Sequence, residues 1–165
     1  MYDKNQTHYV VVTGILVKEE KYLIVKRAGS EIAFPGQWTV PGGKLKVLDY
    51  ALKQKDTKHH WYNILENVLR REIKEEVGLE IKNIGYVTSM VYVRPDGIPC
   101  LIISLFAEPL EGEIILEKKL TEFAWVSLEE AKNYELIDGI YDELVILDKY
   151  LKTGRVMEWS RENGN

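Results

Sequence analysis

Cysteine is almost missing from this 165-residue chain: Cys100 is the only one, which rules out an intrachain disulfide. It lies in an apolar run and reads as a small buried residue rather than a reactive thiol. No apolar run approaches the ~20 residues that a membrane-spanning helix needs. The first residues, Met1 to His8, are polar and lack the basic start and apolar stretch of a signal peptide, so a cytoplasmic location is expected. There is no excess of positive charge either. The formal net charge of −4 argues against general binding to nucleic acid or to a membrane surface. No internal repeat, low-complexity stretch or second domain is visible, and a single domain over 1–165 is expected, with its core over about 9–151.

What is present is ordinary for a globular protein, with 45% hydrophobic and 29% charged residues. Tyr9 to Val17 is rich in β-branched residues and predicts a strand, Tyr22 to Lys26 a second, and the polar Lys18-Glu19-Glu20-Lys21 a hairpin turn between them. Ala28 to Gln37 is a loop, and Trp38 to Lys44 carries a Pro41-Gly42-Gly43 turn. Ile64 to Val77 predicts a helix, with Gly78 as the left-handed residue just past its end and Asp56 or Thr57 as its cap. Strands follow over 84–94 and 99–107 around a Pro95-Asp96-Gly97 turn, then a short one over 123–126. Ser127 is a plausible cap for a short helix, and Leu136 to Leu151 has helical periodicity, with Asp138 as a possible cap. The polar tail spans 152–165, where Val156, Met157 and Trp159 are the residues able to tie it down. Strands placed before, between and around helices give an α/β domain with a mixed sheet.

One stretch resists a purely structural reading: Arg71-Glu72-Ile73-Lys74-Glu75-Glu76-Val77-Gly78-Leu79. At about 100° per residue, Glu72 and Glu76 lie roughly 40° apart, in line with Leu65, Val68 and Leu69 one turn earlier. Acids at i+3 and i+4 repel by about 0.2–0.5 kcal/mol per pair. All three also lie near the negative end of the helix dipole. A bound divalent cation would reverse both costs, and Mg²⁺ takes carboxylate oxygens together with substrate phosphate oxygens. The plainer reading is a charged surface helix, supported by the opposite-sign i,i+4 pairs Glu66–Arg70 and Arg71–Glu75.

With Trp38-Thr39-Val40-Pro41-Gly42-Gly43-Lys44 upstream, the stretch resembles the Nudix hydrolase signature: Gly, five residues, Glu, seven residues, then Arg-Glu-aliphatic-x-Glu-Glu-x-Gly-aliphatic. The second half matches at every fixed position. The first half departs. Counting forward from Gly43 the expected Glu is Asp49, and counting back from Arg71 it is Asn63, because Gly43 and Arg71 are 28 apart where the pattern has 14. The excess is read as an insertion over 45–63, a loop long enough to be a substrate-facing lid carrying His59, His60, Trp61 and Tyr62. Its adjacent histidines lack further Cys or His at ligand spacing for zinc.

The resemblance implies a Nudix fold, an α/β/α sandwich with a mixed β-sheet. It also implies a Nudix pyrophosphohydrolase that cleaves a phosphoanhydride in a nucleoside diphosphate joined to another group. Such substrates include a nucleoside triphosphate, an oxidised nucleotide or ADP-ribose; the net acidity does not exclude them, since metal ions neutralise phosphates. Mg²⁺ or Mn²⁺ is the implied cofactor, with Glu72, Glu75, Glu76 and a backbone carbonyl at Gly42 as ligands. Arg71 is expected to orient a carboxylate while pointing away from the Glu72/Glu76 face. The general base is either Glu72 or a loop acid, Glu117 first and Glu122 second, while Glu108, Glu111 and Glu113 read equally well as solvated charges. Arg27, Phe34, Trp38 and Gly43 are candidate substrate contacts, although Arg27 also reads as a surface cation and Trp38 as core. A small-molecule nucleotide is the expected partner, with a homodimer possible. The competing reading is a non-catalytic Nudix-fold nucleotide sensor.

Overall fold

The computed structural model describes residues 4–161. β1 (Tyr9–Lys18) and β2 (Lys21–Arg27) form the expected hairpin, paired at Val17–Tyr22 and Lys18–Lys21. Its two-residue turn places Glu19 and Glu20 at φ 51° and 60°, the left-handed pair that matches the twist of a hairpin. Beyond the turn the strands part. β1 runs parallel to β6 (Pro99–Pro109) and antiparallel to β4 (Gly42–Lys44). β2 pairs with β3 (Trp38–Thr39) and β7 (Leu120–Val126). β5 (Ile81–Val93) lines the other side of β6, so the sheet is mixed, as expected.

Helices cover both faces. α1 (Ile64–Val77) buries Val68, Leu69, Ile73 and Val77 against Val12, Leu16, Leu23 and Leu105. The approach is close at Gly14, where a Cβ would meet Leu69 Cδ1 at 2.4 Å. α3 (Ile140–Thr153) buries Ile140, Leu144 and Leu147 on the other face against Ile15, Tyr22 and Ile24. α2 (Leu128–Ala131) is the short helix, capped by Ser127, whose hydroxyl accepts from the Glu130 N–H at 3.2 Å. This is the α/β/α sandwich with two apolar layers.

Several expected boundaries move. Neither Asp56 nor Thr57 caps α1: Asn63 occupies the N-cap in a left-handed conformation with no side-chain bond. Asp56 accepts from the Tyr62 N–H and Thr57 from the His60 N–H, so both are consumed inside their own loop. Asp138 does not cap α3 either; Gly139 stands at that position with φ 90°. β7 begins at Leu120, three residues earlier than its apolar content suggests, because its register against β2 carries it there. The tail after α3 is tied down as its apolar residues suggest. Trp159 Nε1 donates to Asp142 Oδ2 at 3.2 Å, folding the chain back along the helix.

Glu143 on α3 is buried, 4% exposed. Burial pushes its carboxyl up to about 7, Ser104 nearby lowers it in part, and Asp142 raises it further. The folded state therefore holds this proton more tightly than the unfolded chain. Its contribution is full below the unfolded pKa and is lost as pH rises through about 7. Thermal melts between pH 5 and pH 8 should show Glu143→Gln gaining on the wild type as pH rises, by on the order of 1–3 kcal/mol. Parallel curves would mean that Glu143 keeps its ordinary pKa.

Candidate active site

The acids of α1 meet the glycine turn because β4 is stitched to β1 directly beneath the helix. Thr13 pairs with Gly42 and Val12 with Gly43, and the Gly14 N–H donates to the Pro41 carbonyl at 2.9 Å. Side chains alternate along β4, so the Gly43 position faces α1. A Cβ on Gly43 would stand 2.2 Å from Glu72 Oε1. The glycine is therefore the hollow into which the Glu72 carboxylate fits. Gly42 contributes its N–H, which donates to Glu76 Oε2 at 2.8 Å.

Glu72 is buried at 7% exposure, and the apolar stripe of α1 does continue into the acidic cluster. Burial pushes Glu76 up to about 7; the Gly42 N–H pulls it down, Glu72 and Glu117 raise it, and Arg27 opposes them. Glu117 reaches the cluster through its backbone, its N–H donating to the Glu76 carbonyl at 3.0 Å. The loop before β7 thus brings a third carboxylate to Glu72 and Glu76. Glu122 does not join them and instead pairs with Lys26 at 2.7 Å. Glu75 is the outlying member, half exposed and bonded to Arg71 at 3.0 Å.

Arg71 departs from the expectation that it points away. Its guanidinium reaches Glu72 Oε1 at 2.6 Å and the Lys44 carbonyl at 3.1 Å. It also donates to both oxygens of Asp49, at 2.7 and 3.2 Å. Helical geometry separates neighbouring residues by about 100°, but a long Arg side chain crosses that angle. Asp49 is the residue whose supporting role sequence counting left in doubt. It ends a short 3₁₀ turn, Val47–Asp49, and takes the arginine fork in two-point fashion. Burial works to raise the Asp49 carboxyl, but the hydrogen bonds from Arg71 and from the Lys46 N–H, together with the charges of Arg71 and Lys46, outweigh it and hold it below the ordinary carboxylate range. The forward count from Gly43 was the signal that could have found it. Counted forward from Gly43, the length beyond the pattern falls after Asp49, over 50–63. There Trp61 packs on Tyr50 and donates to the Lys53 carbonyl, while His59 and His60 remain exposed.

Asp49 accordingly holds the Arg71 guanidinium that in turn holds Glu72. Asp49→Ala should lower turnover by about tenfold. Asp49→Glu should keep most of it, because the longer acid can still grip the fork; equal losses in both variants would remove this role.

The remaining candidates divide. Arg27 is held by the Ala33 carbonyl and by Glu31, each at 2.8 Å, and its charge is felt at Glu76. Phe34, with φ 51°, sets its ring 5.8 Å from that of Tyr92. Trp38 sits in the core at 9% exposure, edge-on to Tyr134. Gly78 ends α1 in the left-handed region at φ 77°, its N–H donating to the Lys74 carbonyl.

Whether these residues suit a divalent ion is a question of donor chemistry. Among the described residues no three His, Cys, Asp or Glu side chains are gathered as a finished cage. The cluster is nevertheless built from hard oxygen donors, the set that Mg²⁺ and Mn²⁺ take. Arg71 binds Glu72 through Oε1 alone, and Gly42 binds Glu76 through Oε2 alone, which leaves one oxygen of each carboxylate for another ligand. A mostly buried Glu76 faced by two further acids is short of positive charge, and a cation would supply it.

A mixed sheet between helical layers, with a glutamate-bearing helix seated on a glycine turn, defines a class. Residues 7–145 match the NUDIX domain, and the chain belongs to that family, that of the Nudix pyrophosphohydrolases. It is 27% identical over 136 residues to the nucleoside triphosphatase NudI of Klebsiella pneumoniae, covering 76% of this chain and 86% of that protein. The fold is similar to that of the MutT NUDIX hydrolase from Burkholderia pseudomallei, with a TM-score of 0.67 and 20% identity over 84% of this chain and 97% of that one. It is equally similar to the NUDIX domain of Shewanella oneidensis NrtR complexed with ADP ribose, with a TM-score of 0.67 and 17% identity over 91% of this chain and 94% of that one. Among the described residues no helix is long and apolar enough to cross a membrane.

Proposed function

We propose that this chain hydrolyses a phosphoanhydride bond in a nucleoside triphosphate or a related nucleoside diphosphate derivative, using Mg²⁺ or Mn²⁺. The observation that carries this reading is the seating of Glu72 and Glu76 on the Gly42-Gly43 turn, with Glu76 mostly buried, short of positive charge and within reach of the charge of Glu117. Glu72 and Glu76 are the main ligands, and Glu75 is a further one once it exchanges its bond to Arg71. The Gly42 carbonyl is the remaining candidate. A divalent ion in this place neutralises phosphate charge and lowers the pKa of a coordinated water.

The chain's own residues do the rest. Arg71, locked by Asp49, fixes one oxygen of Glu72 and leaves the other without a hydrogen bond from Arg71. Glu117 is a half-buried carboxylate beside Glu76 and serves as the proton acceptor for the attacking water. Arg27, tethered to the loop over 28–37, faces the same acids and is placed to meet a phosphate oxygen. Likeness to NudI favours nucleoside triphosphates over ADP-ribose as the first compounds to try.

The non-catalytic sensor reading has no observation in its favour, since a sensor needs neither the carboxylate cluster nor the hollow at Gly43. The deciding experiment is a screen of nucleoside triphosphates, ADP-ribose and dinucleotides with Mg²⁺ or Mn²⁺, with products identified by mass. Metal-dependent release of pyrophosphate, phosphate or a nucleoside monophosphate is expected. Tight nucleotide binding without turnover would instead make the chain a sensor.

A further inference from the structure

β1 changes partner along its length. As far as Leu16 it lies parallel to β6, ending at the pair Leu16–Ala107, and from Val17 it pairs with β2 instead. β6 meanwhile goes on beside β5 to the pair Ile81–Pro109. Open α/β sheets bind ligands in the crevice outside the carboxyl ends of parallel strands, at the point where the strand order changes. Here that crevice is a cavity of about 570 Å³, within the range of small-molecule sites. Lys18 at its edge follows Thr13, the partner of Gly42, by roughly 16 Å of extended strand, so the cavity is separate from the acids of α1.

Its lining is of two kinds. Val17, Leu79, Pro109, Ile114 and the half-buried Trp125 supply the apolar part. The Trp125 indole N–H has no acceptor among the described residues and is free to donate to a ligand. The charged part carries both signs, two lysines against three glutamates. Lys82 and Glu108 pair with each other at 3.9 Å. Lys18, Glu19 and Glu111 have no ion-pair partner among the described residues. Free charges of opposite sign thus stand around one apolar cavity without neutralising each other.

We infer that this cavity binds a small zwitterion with an apolar body, the chemistry of a free amino acid with a large hydrophobic side chain. The inference does not depend on the nucleotide reading. An organic anion would find Lys18 but also face the carboxylates of Glu19 and Glu111, and an organic amine would meet the reverse. A zwitterion brings a carboxylate to Lys18 and an ammonium to the two acids, so both signs are used. Its side chain displaces water from Leu79, Ile114 and Trp125, and an aromatic ring gains further against the indole. One wall of the cavity also leads to the acids of α1. The segment over 108–114 lines it, and the next residues are tied to the helix end. The Ile115 N–H donates to the Val77 carbonyl and the Glu117 N–H to that of Glu76, each at 3.0 Å. A ligand held against this wall braces the segment that ends at Glu117.

The test is calorimetry of the whole chain with L-phenylalanine, phenethylamine and 3-phenylpropionate, which present one apolar body in three charge states. L-Leucine and L-tryptophan run alongside to vary the body. Phenylalanine should bind about fivefold more tightly than either singly charged analogue, the upper end for a partly exposed ion pair. Lys18 is exposed, so Lys18→Ala leaves the fold intact. It should weaken phenylalanine by about fivefold and leave phenethylamine, which has no carboxylate, no weaker. Glu111→Ala should do the same to phenylalanine and spare phenylpropionate. Amide hydrogen exchange over 17–19 and 108–114 should slow when phenylalanine binds, which locates the ligand in this cavity and not at the carboxylates of α1. No binding by any of the three amino acids, an analogue of single charge that binds as tightly as phenylalanine, or phenylalanine binding that Lys18→Ala leaves unchanged overturns the assignment.

Discussion

Glu76→Gln should lower kcat by about 10²–10⁴ while leaving the protein at least as stable as the wild type. The two effects separate because they come from different features of one carboxylate. The proposed metal site requires its negative charge near the phosphate, and Gln has none. Stability, by contrast, is reduced by that charge. Burial together with the charges of Glu72 and Glu117 pushes Glu76 up to about 7, outweighing the Gly42 N–H. The folded state thus favours the protonated acid, and its contribution to stability is lost as pH rises from the unfolded pKa toward 7. Gln keeps an oxygen for the Gly42 N–H and carries no charge to bury. Turnover by mass-detected product release and melting temperature at pH 8, measured on the same preparation, check both halves. Full turnover in Glu76→Gln with metal dependence intact would refute the ligand assignment.

Gly43→Ala and Gly42→Ala should fail for opposite reasons, although the residues are adjacent. At Gly43 the added methyl meets the carboxylate of Glu72, its Oε1 at 2.2 Å and its Oε2 at 2.5 Å. That group is the far end of a flexible side chain, so it swings aside at little cost to the fold. The displacement is on the order of 1 Å at a group proposed to hold the metal, which on that proposal costs about 10²-fold in rate. At Gly42 the methyl meets backbone, the Val12 carbonyl oxygen at 2.4 Å and Thr13 Cα at 2.7 Å. Backbone in a paired strand cannot swing aside. The β4–β1 ladder must open, which costs about 1–3 kcal/mol and weakens the Gly42–Glu76 hydrogen bond as well. Gly43→Ala is therefore expected to be stable and nearly inactive, and Gly42→Ala to be destabilised and inactive. A Gly43→Ala protein with normal kcat would show that Glu72 does not need its present position.

The extra chain after Asp49 bears on both experiments. Asp49 and the Lys44 carbonyl grip Arg71 from the side of the loop, and Arg71 grips Glu72 from the side of the helix. The segment over 50–63 therefore leaves the site from a fixed point, and its internal packing of Tyr50 on Trp61 is separate from that anchor. Its length is accommodated without disturbing the carboxylates because surface loops are entropically cheap to lengthen.

Much of this protein was legible in the chain before any coordinates. β-Branched content and the turns between marked β1, β2, β5 and β6, and a periodicity near 3.6 marked α1 and α3, because strand backbone favours branched side chains and burying one face of a helix imposes its repeat locally. The acid spacing in α1 showed which carboxylates share a side, since helix geometry is fixed by the backbone. Three matters were settled only by tertiary packing. Asp49 completes the site across 22 residues because a salt bridge with Arg71 closes a loop, and no local pattern announces such a closure. The two-residue β3 and three-residue β4 exist only through their partners β2 and β1, being too short to carry a periodic signal. Glu143, which reads as an ordinary charge on an amphipathic helix, is buried because α3 lies across Ser104 and Thr13, and only the stacking of helix on sheet decides which side of α3 meets the core.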